Sequence, residues 1–185
     1  MKKVLLTAVA IFGFGFANAQ EVKFGIKAGV NMATLTGDSA DNLDSKIGFH
    51  VGGFAEFKVS EKFSVQPEVL FSTQGAKADG GSLDINYINI PVMAKFYATP
   101  EFSLEAGPQL GFLVSAESNP DSGSSTDVKE FLKSTDFGVN LGAGYQFTEN
   151  FSAGLRYNLG LSNMAEEENV EFMNSVFSLS LGYRF

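Results

Sequence analysis

Ten charged residues fall on alternate positions of otherwise apolar stretches: Lys23, Lys27, Glu56, Lys58, Glu68, Lys95, Glu105, Asp136, Arg156 and Arg184. Six are basic and four acidic, and Gln66, Asn89, Gln109, Asn140, Gln146 and Asn158 share their parity. Two chemistries could use such a set. One is a charged constriction that selects ions; the other is a carboxylate pair for acid/base work. Against both stands mutual pairing, because charges of mixed sign held in a narrow space neutralise one another and unpaired ones are costly. His50 is the single histidine, and serines lie near it. A lipid hydrolase could use such a pair, but no nucleophile motif accompanies His50 and its parity is that of the charged residues. Asp38, Asp41 and Asp44 are spaced by three without the carboxylate and glycine order of a calcium loop. The chain has no Cys, so thiolate chemistry and disulfides are excluded, and a His-rich metal site is excluded with one His. We therefore expect no catalytic residues, no cofactor and no bound metal.

The elements that must position these residues are strands. Val22, Phe24, Ile26, Ala28 and Val30 share one parity, with Lys23, Gly25, Lys27, Gly29 and Asn31 between them. A side-chain period of two gives a strand with one apolar and one polar face. The pattern recurs from Phe49, Phe63, Ile88, Phe102, Phe137, Phe151 and Phe177, making eight apolar faces with no charge and no amide. Each is near the ~9–11 residues a tilted membrane strand needs. The spacing predicts an all-β fold: one eight-stranded antiparallel up-and-down transmembrane β-barrel over residues 20–185. Pro67, Pro91 and Pro108 fall inside these strands, where a missing N–H has no free edge, and they are expected at bulges or near a rim. Pro91 leaves the faces of Tyr87 and Ile88 open.

The connections alternate in length. Ser60-Glu61-Lys62, Thr99-Pro100-Glu101 and Thr148-Glu149-Asn150 are short and each is followed by Phe-Ser. The others, about 33–46, 75–82, 114–134 and 161–171, are longer and polar, with Val128–Leu132 able to form a short helix. Short turns at one rim and long loops at the other are the asymmetry of outer-membrane barrels, with the long loops outside. Met1-Lys2-Lys3, the apolar run Val4–Ala17 and the small-x-small Ala17-Asn18-Ala19 read as a signal peptide over residues 1–19, implying export through the inner membrane.

A soluble eight-stranded barrel would show the same period turned inside out. Many glycines, among them Gly107, Gly142 and Gly144, lie on the polar parity. Glycine weakens a solvent-facing strand but lets long side chains fit in a narrow lumen, which favours the membrane barrel. Aromatics such as Phe63, Phe96, Phe102, Tyr145, Phe151, Tyr183 and Phe185 lie near strand ends like an interfacial girdle. Tyr183 and the terminal Phe185 resemble the signal by which the barrel assembly machinery recognises its clients.

Asn86-Tyr87-Ile88-Asn89-Ile90-Pro91-Val92-Met93-Ala94-Lys95-Phe96-Tyr97 resembles the Tyr-[Ile/Leu]-x-[Ile/Leu]-Pro-[Leu/Val] strand of the PorT-type outer-membrane β-barrel family. Gly25-Ile26-Lys27-Ala28-Gly29-Val30-Asn31 and Glu105-Ala106-Gly107-Pro108-Gln109-Leu110-Gly111 are similar to strands of the same family, within the wider class of small OmpX- and OmpA-like barrels and porin-family proteins. The resemblance implies a structural motif, not an activity; the secretion role linked to PorT does not transfer on a barrel pattern.

The formal net charge is −8. Thirteen acids, counting Asp84 just past the second loop, but only four bases (Lys46, Lys77, Lys129 and Lys133) fall in or beside the long loops, a rim of net −9. Such a field repels DNA, so nucleic acid is not an expected partner, and it favours basic partners. Expected partners are outer-membrane lipids, the assembly machinery during biogenesis and a protein met outside the cell or in the periplasm. Three functions follow: a structural or interaction barrel with a lumen plugged by paired charges, a narrow channel for small solutes, or an enzyme of the outer leaflet. The first is the expectation, since the interior of eight strands is just wide enough for side chains. The missing Ser/His/acid constellation disfavours the third.

Overall fold

The computed structural model describes residues 22–37, 40, 43–167, 169 and 171–185. The signal peptide expected over residues 1–19, with Asp38, Asp41 and Glu168 of the acidic loops, lies outside the described residues. Eight long strands form a closed antiparallel ring: β1 Val22–Thr36, β2 Asp44–Ser60, β3 Phe63–Ala78, β4 Gly81–Tyr97, β5 Phe102–Pro120, β7 Thr135–Gln146, β8 Phe151–Gly160 and β9 Met173–Arg184. A two-residue strand, β6 Thr126–Asp127, pairs with the outer part of β5. Each long strand pairs with its sequence neighbour, and β9 returns to pair with β1.

The registers set the barrel's shape. A path that starts at Lys23 and follows opposed residues around all eight strands returns at Ala33, ten residues further along β1. With ~3.3 Å per residue and ~4.8 Å between strands, that shear tilts the strands by about 40°. The apolar parity faces outward throughout: Phe24, Ile26, Val51, Val69, Leu104, Leu141, Leu155, Leu179 and Leu181 are all exposed. Buried positions are largely polar, with Asn31, Glu68, Gln66 and Asn140 almost fully enclosed. This is a soluble protein's pattern inverted, as a strand cylinder in lipid requires.

Three expectations change. The prolines are not bulge sites. Pro67 lies opposite Val92, Pro91 opposite Gln109 and Pro108 opposite Val139, with the register unbroken on both sides. Pairing lapses for two rungs beside Pro67 and beside Pro91 and then resumes in step. A proline removes one donor without lengthening its strand, so a closed ladder can skip rungs and hold its register. The irregularities lie instead between Ser45 and His50, Lys58 and Ser60, and Asn86 and Tyr87. Second, residues 75–82 are not a long loop: β3 and β4 stay paired up to Ala78 and Gly81, around Asp79-Gly80. Gly80 takes φ 92°, a left-handed conformation that suits glycine in a two-residue hairpin. Third, the short helix near 128–132 is a single 3-10 turn, Lys129–Phe131. Around Pro91 the faces resolve simply: Tyr87 points inward and Ile90 outward.

The lumen as candidate functional site

Seven of the ten charged residues singled out by parity meet inside the barrel, from seven different strands. Glu68 on β3 lies at the centre, its side chain fully enclosed. Arg156 on β8 donates to both its oxygens, at 3.0 and 2.9 Å. Lys27 on β1 donates to Glu68 Oε1 at 2.8 Å and Gln66 Nε2 to the same oxygen at 2.7 Å. Arg156 also reaches Glu105 at 3.1 Å, and Glu105 accepts Lys95 at 3.2 Å. Lys95 stands 3.8 Å from Glu56, which pairs with Arg184 at 2.9 Å and takes a hydrogen bond from the Tyr97 hydroxyl. The series runs from Lys27 to Arg184, and every link but Lys95–Glu56 is at hydrogen-bond distance.

Strand register makes this possible. Lys95 lies opposite Glu105, Glu105 opposite Gly142, and Gly142 opposite Arg156. β7 contributes no charge at this level; it contributes space. A Cβ at Gly144 would meet Glu105 Oε1 at 2.7 Å and Ser103 Oγ at 2.8 Å, and one at Gly142 would run into the Leu155 carbonyl. Without side chains at these two positions, Arg156 and Glu105 can cross the lumen.

Three of the ten stand apart. Asp136 is buried toward the long-loop rim, where it accepts Ser162 Oγ at 2.7 Å and Asn174 Nδ2 at 2.9 Å. Lys58 is exposed at the short-turn mouth and makes no ion pair among the described residues. Lys23 lies opposite Glu56 in the β1–β2 ladder and lines the same mouth. Parity placed these residues on the correct face but could not give their depth, and the charges segregate by depth.

Further in, the lining is neutral. Asn31 donates to Ser72 Oγ at 3.0 Å and accepts Ser178 Oγ at 2.9 Å, with His50 Nδ1 2.8 Å from its carbonyl oxygen. Asn158, Asn140 and Gln109 form a second relay at 3.2 Å per step. His50 is buried among amides and hydroxyls, facing away from lipid. At the outer end the inner face turns apolar: Leu35, Ala76, Ile85, Tyr87, Leu113, Ala116 and Met164 form a buried cluster. Val128, Leu132 and Phe172 from the loops pack against it. Sequence reasoning missed this cap because Leu35, Ala76, Ala116 and Met164 fall in stretches that read as loops. The signal was there, since Leu35, Ile85 and Leu113 continue the lumen parity with apolar residues. Tyr97 and Phe54 also face the lumen, but as uncharged aromatics on that parity they carry no sequence signal of it. Lys27 Nζ stands 5.8 Å from the Phe54 ring.

Between these layers little space remains. Two voids of about 30 Å³ each lie on either side of the Lys27–Arg156 level, room for a water or two. A ring of eight strands with a polar interior and a lipid-compatible exterior is the architecture of an outer-membrane β-barrel. Residues 17–166 match the outer membrane protein β-barrel domain family. The chain belongs to that family. Among solved structures, this outer-membrane barrel is similar to neisserial surface protein A, at 16% identity and TM-score 0.63, with 89% of this chain and 99% of the other covered. It is similar also to Ail, the attachment invasion locus protein of Yersinia pestis, at 18% identity, the same coverage and TM-score 0.57. At such identities these structures share a fold. A search of curated proteins found no match. With the family known, the short-turn rim of the outer-membrane barrel is periplasmic and the long-loop rim external. The aromatic girdle then marks the periplasmic interface, with Phe151 and Tyr183 at 5.0 Å and Tyr183 and Phe185 at 5.7 Å, edge to face.

Proposed function

We propose that this barrel works through its outer surface, as a structural or interaction protein whose lumen is plugged and carries neither solute nor catalysis. The observation that supports this reading is the stack of closures along the axis: the ionic series, the amide layer and the apolar cap, with only water-sized voids between. A narrow solute channel would need a continuous polar path, and Ile85, Tyr87 and Met164 interrupt it.

The working surface is then the acidic loop rim. One Ail structure holds the heparin analogue sucrose octasulfate. A rim of net −9 selects the opposite partner, a basic protein surface outside the cell. The alternative, an accessory barrel of a secretion system, rests on the PorT-type resemblance of Asn86–Tyr97 alone. Export through the inner membrane by residues 1–19 and recognition of Tyr183 and Phe185 by the assembly machinery complete the proposal. Reconstitution into liposomes tests the proposal: small-sugar influx should match protein-free vesicles, and influx that scales with protein content overturns it.

A further inference from the structure

The periplasmic mouth holds a cavity unlike the rest of the lumen. Its volume is about 440 Å³, against about 30 Å³ for each void above it. It lies within the ~300–1,000 Å³ range of small-ligand pockets. Four cations line it, Lys23, Lys58, Lys62 and Arg184, against two acids, Glu56 and Glu61. Lys58 and Lys62 are exposed at the mouth, while the Arg184 side chain is nine-tenths buried at the inner end.

The charge count of the series above adds a second, independent observation. Lys27, Lys95, Arg156 and Arg184 are matched by only Glu56, Glu68 and Glu105, so the series is one carboxylate short. Glu68 is shared by Lys27 and Arg156, Glu105 by Arg156 and Lys95, and Glu56 by Lys95 and Arg184. Both ends of the series are therefore cations. At the Lys27 end there is only a water-sized void. At the Arg184 end is the cavity; Arg184 lines it and the small void above it, and its Nε is buried with no hydrogen-bond acceptor among the described residues. A buried guanidinium N–H without a partner is costly, and guanidinium matches oxyanions in geometry and charge.

We propose that the periplasmic vestibule is a binding site for a compact oxyanion, a carboxylate or phosphate group of a small solute. The anion accepts from Arg184 Nε, supplies the missing negative charge, and is held from the mouth by Lys58 and Lys62. Basic walls around a recess concentrate the field on it. The site is independent of what the outer loops do and of whether anything crosses the lumen.

Calorimetric titration of the refolded barrel at low ionic strength tests this, with inorganic phosphate and succinate as separate probes. One saturable site per barrel is expected for at least one probe, and the tighter of the two identifies the group preferred. Lys58→Gln with Lys62→Gln should weaken it at least tenfold while leaving the unliganded barrel's melting unchanged, since both lysines are exposed. Glu61→Gln should tighten it, and Lys77→Gln with Lys133→Gln on the outer rim should have no effect. Absence of saturable binding for both probes, or binding unchanged in the Lys58/Lys62 variant, overturns the proposal.

Discussion

Replacing Glu68 by Ala removes the carboxylate that two cations share. Lys27 loses its ion pair at 2.8 Å, with the Phe54 ring 5.8 Å from its Nζ. Arg156 loses a bidentate contact and keeps Glu105 at 3.1 Å. Both cationic side chains are 11% exposed, so water does not replace the lost oxygens fully. Breaking a buried pair by removing one partner costs about 3–5 kcal/mol, a large part of a typical ~5–15 kcal/mol total. Glu68→Gln keeps an acceptor oxygen and should lose less, about 1.5–3 kcal/mol, the scale of a hydrogen bond to a charged group. The informative control removes the whole triad: Lys27→Met, Glu68→Met and Arg156→Met together should lie near wild type, because apolar residues of similar volume replace buried ions at little cost. The chain has no Trp, so denaturant unfolding in micelles is followed by far-UV circular dichroism and by the heat-modifiable gel shift. A loss below about 1 kcal/mol for Glu68→Ala would refute the reasoning: the lumen charges would then be solvated, and the plug a static picture of a wet pore.

Three further outcomes are expected. Gly142→Ala should cost about 1–3 kcal/mol in the same unfolding assay, since its Cβ meets the Leu155 backbone carbonyl, whereas Gly154→Ala, which meets the Ser180 hydroxyl at 3.1 Å, should cost clearly less. Ile85→Ala should cost about 2–5 kcal/mol, as for any enclosed core residue, although it lies in the cap and not in a conventional core; a neutral result would mean the cap is not packed. Deleting Phe185 should lower the amount reaching the outer membrane while purified protein still refolds, because its ring is 75% exposed and its loss removes less than the ~1–3 kcal/mol of a fully buried side chain. Normal insertion of the truncated chain in cells would make Phe185 a girdle residue only.

The wall of this barrel was legible because lipid imposes a period of two on every strand. Faces such as Phe24, Ile26, Val30 and Phe151, Leu155, Leu159 state which side meets hydrocarbon. Parity also put all ten charges on the inner or mouth side. Depth was not legible, because it depends on shear, and shear is a sum of registers that no single strand encodes. Hence Asp136 was grouped with charges it does not touch, and Lys58 with a network it faces from outside. The cap escaped for another reason: above the membrane the inner face is apolar and the outer face polar, so Leu83–Ile85, between the loop read at 75–82 and the strand read from Ile88, carries the pattern of a soluble hairpin. The prolines misled because a missing donor suggests a bulge, whereas a closed ring can hold register across a skipped rung.

The closed lumen is tested most directly by single-barrel recording of the wild-type protein in a planar bilayer. Three stacked closures predict a flat baseline with no stable conductance steps, across both polarities and at high salt. Stable steps of porin size, reproducible from barrel to barrel, would contradict the account.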